Sequence, residues 1–410
     1  MNMYDVVIIG AGISGLYSAY KIQNINPNVK LLILEEQSEK YMGGRTGNDI
    51  FEGVKIVTGA DVGRIGKDTL LLQLLHTFNI KYKIKYSTPD YYNFTPLDIC
   101  KVMKKLKRHY ISYKNKNNDT FEIFAKNILG INIYNLFVIS SGYSDFENSD
   151  INDVLFDYEM DDNIHLDFLQ VIEWDKLIKK LVDSINIHNI HFSTKIIKIK
   201  MKPSNYECIS EYGTAYYGKN VIISTTINGI KYLVPKIREL DIYNKIHSQP
   251  FLRLYGKFSK ESNNIIKKIV KKYTIIPGPL QKMIPVDSKN GIYMIAYSDN
   301  KNARYLKPYI KNIDTNRNFI CNIIEKTLNL QMNTLELIII KGYYWETGTH
   351  YYEPIGNTFK NRKSFIHKAQ HPHKNMLIVG EVISSHQGWV EGALESVENA
   401  IDKSWVNSSL

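Results

Sequence analysis

Cysteine is scarce in this chain: 3 in 410 residues, Cys100, Cys208 and Cys321. They stand far apart, make no CxxC pair and cannot build a disulfide framework, so they read as reduced structural residues. The 11 histidines are scattered and give no metal-ligand spacing. No Ser/His/Asp arrangement and no internal repeat is visible. No apolar run approaches the roughly 18 consecutive residues of a membrane-spanning helix. A strand that begins by Tyr4 leaves no room for a signal or transit peptide, so the chain is expected to start inside its fold, with cytoplasmic placement as the default.

What is present is ordinary globular composition, 44% hydrophobic and 23% charged, over a length that suits two or three domains or one elaborated domain. The net charge of +11 favours anionic neighbours in general. Its one concentrated patch is Lys101, Lys104, Lys105 and Arg108, a spacing that puts a basic stripe on a helix. That stripe reads as a solvated face and gives no strong nucleic-acid signal.

The chain is organised around its beginning. Tyr4-Asp5-Val6-Val7-Ile8-Ile9 is a short β-branched run that stops at Gly10; Leu16, Ala19 and Tyr20 then recur at helical spacing until Asn26-Pro27. A second apolar run delivers Glu35, 20 residues past Gly15, where a dinucleotide fingerprint places an acid for a ribose hydroxyl. In Gly10-Ala11-Gly12-Ile13-Ser14-Gly15, Gly10 permits the tight turn, Gly12 lets backbone approach a pyrophosphate, and Gly15 lets helix and strand pack closely. Gly43-Gly44-Arg45 and Gly59-Ala60-Asp61 are further close-approach turns. Three of them within the first 65 residues imply one large ligand that passes them all.

Helical segments follow at 67–78, 96–113, 121–129 and 174–185, then short strands at 190–193, 195–201, 206–210 and 215–217 that lead into Val221 to Thr226. Longer strands are predicted at 251–258, 291–297 and 334–344, with a helix near 318–328. Met376 to Glu381 reads as another buried strand, ending in Gly380-Glu381, and a last helix starts after Gly388-Trp389. The expected organisation is α/β: a discontinuous cofactor domain, 1–79, 186–230 and 346–410, with an inserted α+β substrate domain, 80–185 and 231–345, carrying a helical insertion.

The set DVVIIGAGISGLYSAY, LLILEEQSEKYMGGRT, TGADVGR, VIISTT, LIVGE and GWVEGALESVENA, in that order, resembles the FAD-dependent amine oxidase superfamily, which includes monoamine and polyamine oxidases. The likeness covers the motif-bearing pieces well and the 80–185 and 230–340 regions poorly. It implies a Rossmann-like (GR2-type) FAD domain with Gly10, Gly12, Ile13, Ser14 and Gly15 on the pyrophosphate and Glu35, or Glu36 beside it, on the adenosine ribose. It implies Gly43, Gly44 and Arg45 along the pyrophosphate and flavin side, Gly59, Ala60 and Asp61 beside them, Ile197 at the adenine, and Thr225 at the end of the middle strand. Gly380 and Glu381 would face the ribityl-phosphate region, with Trp389 and Val390 beneath the flavin carbonyls. Thr349 stands where monoamine oxidases carry the cysteine that binds FAD covalently, so the flavin is expected to be non-covalent.

On the substrate side the resemblance implies two aromatic side chains across the flavin. Trp389 is one; His350, Tyr351 and Tyr352 are all open for the other. Phe251 falls near the place of the lysine that many of these oxidases set near flavin N5, and Arg253 points to the same face. Glu173-Trp174 replaces a common Gly-Gly pair. The implied reaction is oxidation of a small-molecule amine to an imine by hydride transfer, with molecular oxygen as acceptor. An L-amino-acid oxidase, with Arg64 gripping a carboxylate, a desaturase-like flavoenzyme, and a non-catalytic protein resembling GDP-dissociation inhibitors are the alternatives.

Overall fold

The computed structural model describes residues 3–86, 88–158, 167–171, 173–185, 187–233, 241–356 and 358–408. Its first sheet has the strand order Ile196–Met201, Tyr206–Ser210, Ala215–Ile223, Met3–Ile9, Leu31–Leu34, Ile190–His191, with Met376–Ile378 added beside Ala215–Ile223. The pairings of Met3–Ile9 with its two neighbours are parallel, as are those of Met376–Ile378 and Ile190–His191. Parallel strands covered on both faces read as unbroken apolar runs. Here Val6, Ile8, Leu31 and Ile33 enter one core with the helices Ile13–Ile25, Trp174–Ile185 and Val390–Ala400. Val7, Ile9, Leu32 and Leu34 alternate to the opposite core with Ile227, Ile230 and Phe365.

The second sheet runs in the order Leu337–Tyr352, Ile246–Phe258, Ile292–Asp299, Lys282–Asp287, Thr274–Ile275, Asp90–Tyr91. It is antiparallel apart from its last pair. A separate three-stranded antiparallel sheet has the order Val62–Arg64, Asp167–Val171, Tyr82–Tyr86. The helices Ile99–Tyr110, Phe121–Leu129 and Ile131–Ser141 form a separate core around Phe121, Phe124, Phe137 and Phe146. Lys101, Lys104, Lys105 and Arg108 are exposed on the first of these helices, whose start is capped by the Asp98 carboxylate accepting from Lys101 N at 3.0 Å.

Several elements differ from the sequence-based reading. Residues 215–217 and 221–223 are one strand, Ala215–Ile223, because its first half pairs with the meander and its second half with the central strand and Met376–Ile378. The last long strand is Leu337–Tyr352, 16 residues, rather than ending at Tyr344; its ladder with Ile246–Phe258 carries it across the domain boundary expected at 345/346. Cys208 and Cys321 are buried, and burial pushes their thiols up to about 12 and about 11. Among the described residues, no helix is long and apolar enough to cross a membrane.

Candidate functional site

The opening turn brings backbone together more tightly than any side chain would allow. A Cβ on Gly10, whose φ is +104°, would stand 2.3 Å from the Ser224 carbonyl oxygen, and one on Gly15 would stand 2.0 Å from Gly10 O. Gly12 has nothing within 4 Å of its would-be Cβ. It opens on a cavity of about 1610 Å³, which is larger than the roughly 300–1,000 Å³ of an ordinary ligand pocket. The helix Ile13–Ile25 has no side-chain cap, so its first N–H groups are left for a ligand on the cavity side. Gly12, Ile13 and Ser14 all line that cavity. The second glycine turn is fastened to the first by the Gly43 N–H donating to Ala11 O at 3.0 Å. A Cβ on Gly59 would meet Arg45 O at 2.1 Å, so the third turn presses on the second.

The same cavity is lined by Glu35, Glu36, Gly43, Gly44, Arg45, Gly59, Ala60, Asp61, Thr225, Gly380, Glu381, Trp389, Val390 and Arg253. Glu35 accepts from Ala11 N at 2.6 Å and Gln37 N at 2.8 Å, which fixes its carboxylate beside the first turn. Glu36 points outward to Lys195 at 3.2 Å. Thr194, Lys195 and Ile196 form the wall near them; Ile197 is the next residue, at a register shift in the strand Ile196–Met201, and is not among the described lining residues.

Glu381 is the hub of the far end. Its carboxylate accepts from Arg45 Nη2 at 3.0 Å, from His350 N at 2.8 Å and from Gly388 N at 3.3 Å. Arg45 also donates to Gly348 O at 2.9 Å. Burial pushes the Glu381 carboxyl up, but Arg45 and His350 outweigh it and hold the group well below the usual carboxylate range. His350 is pulled down by burial, partly offset by Glu381. It accepts the Ile227 N–H at Nε2, 3.2 Å, and lies 2.8 Å from Glu381 through Nδ1, the pattern of a neutral imidazole that donates from Nδ1.

The three candidates for the second aromatic therefore stand elsewhere. His350 is committed to Glu381; Tyr351 stacks on His247 at 5.3 Å; Tyr352 is buried against Phe365 and exchanges hydrogen bonds with Ser384. All three border a smaller cavity of about 50 Å³. The indole that lines the large cavity from this strand is Trp345, whose Nε1 donates to Thr58 O at 2.8 Å. It stands with Trp389, Phe251, Tyr255 and Tyr297.

Arg64 does not line the cavity. It is 2% exposed, is bound by Asp68 through Nε and Nη2 at 3.0 and 2.7 Å, and lays its guanidinium 4.4 Å from the centre of the Trp389 ring. Arg64 ends the strand Val62–Arg64 and Asp68 precedes the helix Thr69–Thr77, so their pairing across the turn had no helical signature in the sequence. Glu391, just beyond Trp389, accepts from Leu70 N and Leu71 N at 2.9 Å each and so caps the helix Thr69–Thr77 from outside it. Arg253 lies 4.1 Å over the Tyr297 ring and 3.8 Å from Asp61. Trp174 packs into the core of the first sheet.

Lys282 carried no sequence signal. It is fully buried, with its ammonium 3.1 Å from the centre of the Tyr143 ring and 4.3 Å from that of Tyr297, and burial pulls it down to about 7. Nothing in Gln281-Lys282-Met283 marked it as interior, since a strand lysine ordinarily faces solvent.

These features define a mixed α/β protein in which a dinucleotide-type nucleotide fold and a second antiparallel sheet share one ligand cavity. The sequence profile of the NAD(P)-binding Rossmann-like domain matches residues 8–75. The chain is 22% identical to the uncharacterized protein R188 of Acanthamoeba polyphaga mimivirus over 491 aligned positions, 97% of this chain and 93% of that one. Its fold is that of putrescine oxidase. The wild-type enzyme bound to putrescine superposes with a TM-score of 0.77 at 12% identity over 99% of both chains. A double mutant of that enzyme, from a redesign of its cofactor binding, superposes at 0.76 with 13% identity, again over 99% of both.

Proposed function

We propose that the protein is an FAD-dependent oxidoreductase that oxidises the carbon–nitrogen bond of a small amine to an imine, which water hydrolyses. The observation that carries this reading is the single cavity touched by Gly12, Gly44, Gly59, Glu381 and Trp389 and continued by the aromatic walls Trp345 and Tyr297. A mononucleotide would be too short to meet all of them.

The residues fit FAD. The uncapped helix start after Gly12 suits the pyrophosphate, and Glu35 and Glu36 border the place for the adenosine ribose. Gly44, Arg45 and Glu381 suit the ribityl side, and the helix Val390–Ala400 begins at the cavity without a side-chain cap, so its positive end stabilises negative charge on a reduced ring. Bound non-covalently there, FAD would accept a hydride equivalent from the carbon beside the amine nitrogen and pass its electrons to oxygen, giving hydrogen peroxide. The protein's own part is orientation and exclusion of water. Trp345 and Trp389, both on the cavity wall, are the aromatic surfaces we assign to a neutral amine, and the Arg45–Glu381–His350 cluster keeps its charges internally matched.

The putrescine-bound neighbour supports a small aliphatic amine as the substrate class. Arg64, paired with Asp68, is not available to grip an amino-acid carboxylate; of the guanidiniums that line the cavity, Arg45 is held by Glu381, and Arg253 is the candidate for that alternative. The test is spectral. Purified protein should be yellow, or take up FAD, and bleach anaerobically with aliphatic amines, with peroxide formed on readmission of air. Colourless protein that takes up no FAD would leave the binding-protein alternative; yellow protein bleached by amino acids alone would leave the amino-acid oxidase.

A further inference from the structure

The opening of the large cavity is basic. Lys83 and Lys85 stand two residues apart on the strand Tyr82–Tyr86, so both side chains leave one face of it. Their cross-strand partners are Gln170 and Phe168, which line the cavity as the two lysines do. Thr88 and Pro89 carry the wall on to Asp90–Tyr91, the strand paired with Thr274–Ile275, where Lys271, Lys272 and Tyr273 line it. All four lysines are exposed. Lys272 has Asp90 at 3.1 Å, whereas Lys83, Lys85 and Lys271 have no carboxylate within ion-pair distance among the described residues.

Further in, cations and carboxylates face one another. Tyr273 is hydrogen-bonded to Tyr143, which meets Tyr297 edge to face at 6.0 Å. Arg253, over the Tyr297 ring, has Asp61 at 3.8 Å; Lys282, between the Tyr143 and Tyr297 rings, has Asp299 and Asp145 as counter-charges. The unmatched charge in this half of the cavity therefore collects at the rim, and it is positive. The phosphates of FAD do not account for it, because their place is at the glycine turns and the start of the helix Ile13–Ile25. A cleft lined by one sign of charge draws ligands of the other sign and repels its own. An aliphatic amine is a cation in neutral water, so the rim opposes its entry unless the same molecule also carries an anion.

We propose that the amine oxidised here carries an anionic group, a carboxylate or a phosphate-like oxyanion, at the end of its chain remote from the reacting nitrogen, and that Lys83, Lys85 and Lys271 hold that group at the mouth of the cavity. The proposal rests on the amine-oxidising reading above. The three lysines act on specificity: they draw the anionic end to the rim while the amine end goes inward. An α-amino acid does not meet the requirement, since its carboxylate sits on the reacting carbon and enters with it.

The test uses the full chain loaded with FAD and four probe series of matched length: ω-aminoalkanoates, ω-aminoalkylphosphonates, n-alkylamines and α,ω-diaminoalkanes. At low salt, wild type should show kcat/KM for one or both anionic series at least about 10-fold above the matching alkylamine, with diamines lowest. The advantage should shrink towards unity as ionic strength rises from about 0.01 M to about 1 M, because the Debye length falls from about 30 Å to about 3 Å. Lys83→Glu/Lys85→Glu should lower kcat/KM for the anionic probes and raise it for diamines, each roughly 10-fold, a pair of opposite changes that damage to the fold does not produce. Anaerobic calorimetric titration reads the same preference without turnover. Anionic probes that bind wild type and are lost by the double variant, with no probe oxidised, would uphold the rim and overturn amine oxidation. Equal values for all four series, a preference for diamines, or a preference indifferent to salt would overturn the rim. The wild-type series and its salt dependence decide even if the double variant does not fold.

Discussion

Arg64 and Glu381 illustrate how single side chains shape the cavity from behind its wall. Arg64 is buried on the Trp389 ring and neutralised by Asp68, so Arg64→Ala leaves a buried carboxylate without its cation. The expected loss is about 3–5 kcal/mol, with the double variant Arg64→Ala/Asp68→Ala less destabilised than the arginine variant alone. Urea unfolding of the four proteins measures the coupling; additive effects would show that the pair is not a unit. Glu381 makes a different prediction, because its folded carboxyl sits below the ordinary value of 4.5. A depressed carboxylate contributes fully above its unfolded value, and that contribution is lost as the pH falls through that value towards the folded one. Glu381→Gln should therefore be about 3 kcal/mol less stable than wild type near neutrality, and the gap should narrow progressively as the pH falls below about 4.5 towards the folded value. A gap independent of pH would refute it. Neither role was legible beforehand. The motif showed an acid after Gly380, but which groups turn towards it depends on Arg45 and His350 arriving from opposite ends of the chain. Lys282 was hidden for the same reason, since its cage is assembled from Tyr143 and Tyr297.

Among the elements, the opening strand, turn and helix were readable because local signals agreed: a buried run, three glycines and a helical repeat all fit one geometry. Gly12 and Gly15 nevertheless have different surroundings, and this separates stability from ligand binding. Gly15→Ala forces a Cβ against Gly10 O, at 2.0 Å, and should destabilise the fold by several kcal/mol. Gly12→Ala meets no protein atom within 4 Å, so thermal stability should be nearly unchanged while FAD affinity falls at least about 10-fold. Melting curves with and without FAD check both; a Gly12→Ala protein that binds FAD like wild type would remove that turn from the cofactor path. The strand Leu337–Tyr352 was not readable in this way. Side-chain alternation alone would assign its aromatic residues to faces, but the register shifts between Gln249↔Thr349 and Phe251↔Trp345. Three residues, Glu346, Thr347 and Gly348, are then set against Pro250 alone, so the pairing partners cannot be counted along the strand, although the even shift leaves Trp345 and Thr349 on one face and His350 on the other. Gly348 is needed there because a Cβ would stand 2.6 Å from that of Phe251. Trp345 thus faces the cavity while His350, on the other face, turns to Glu381.

For the whole molecule, the governing fact is that the cavity belongs to neither sheet alone. Glycine turns of the parallel sheet form one side of it, and Arg253, Tyr255, Met294 and Tyr297 of the antiparallel sheet form the other. Alternation of apolar runs suggested an α/β frame with an insertion, but the shared cavity arises only when both sheets pack, and it has no local signature in the sequence. A ligand that touches both sheets must stabilise them together, since it binds the native arrangement and not the unfolded chain. FAD at one hundred times its dissociation constant should add about 2.7 kcal/mol to stability. For a chain of this size that corresponds to a rise in melting temperature of about 3–5 °C. NAD at the same concentration should give a smaller rise. It can engage the glycine turn and Glu35, but its nicotinamide end lacks the isoalloxazine that would reach Trp389. Trp345 and Trp389 supply an independent readout, because a flavin beside them should quench much of the fluorescence of the chain's 4 tryptophans. Equal stabilisation by NAD, without quenching by FAD, would mean that the ligand stays on the parallel sheet and that the second half of the cavity serves another purpose.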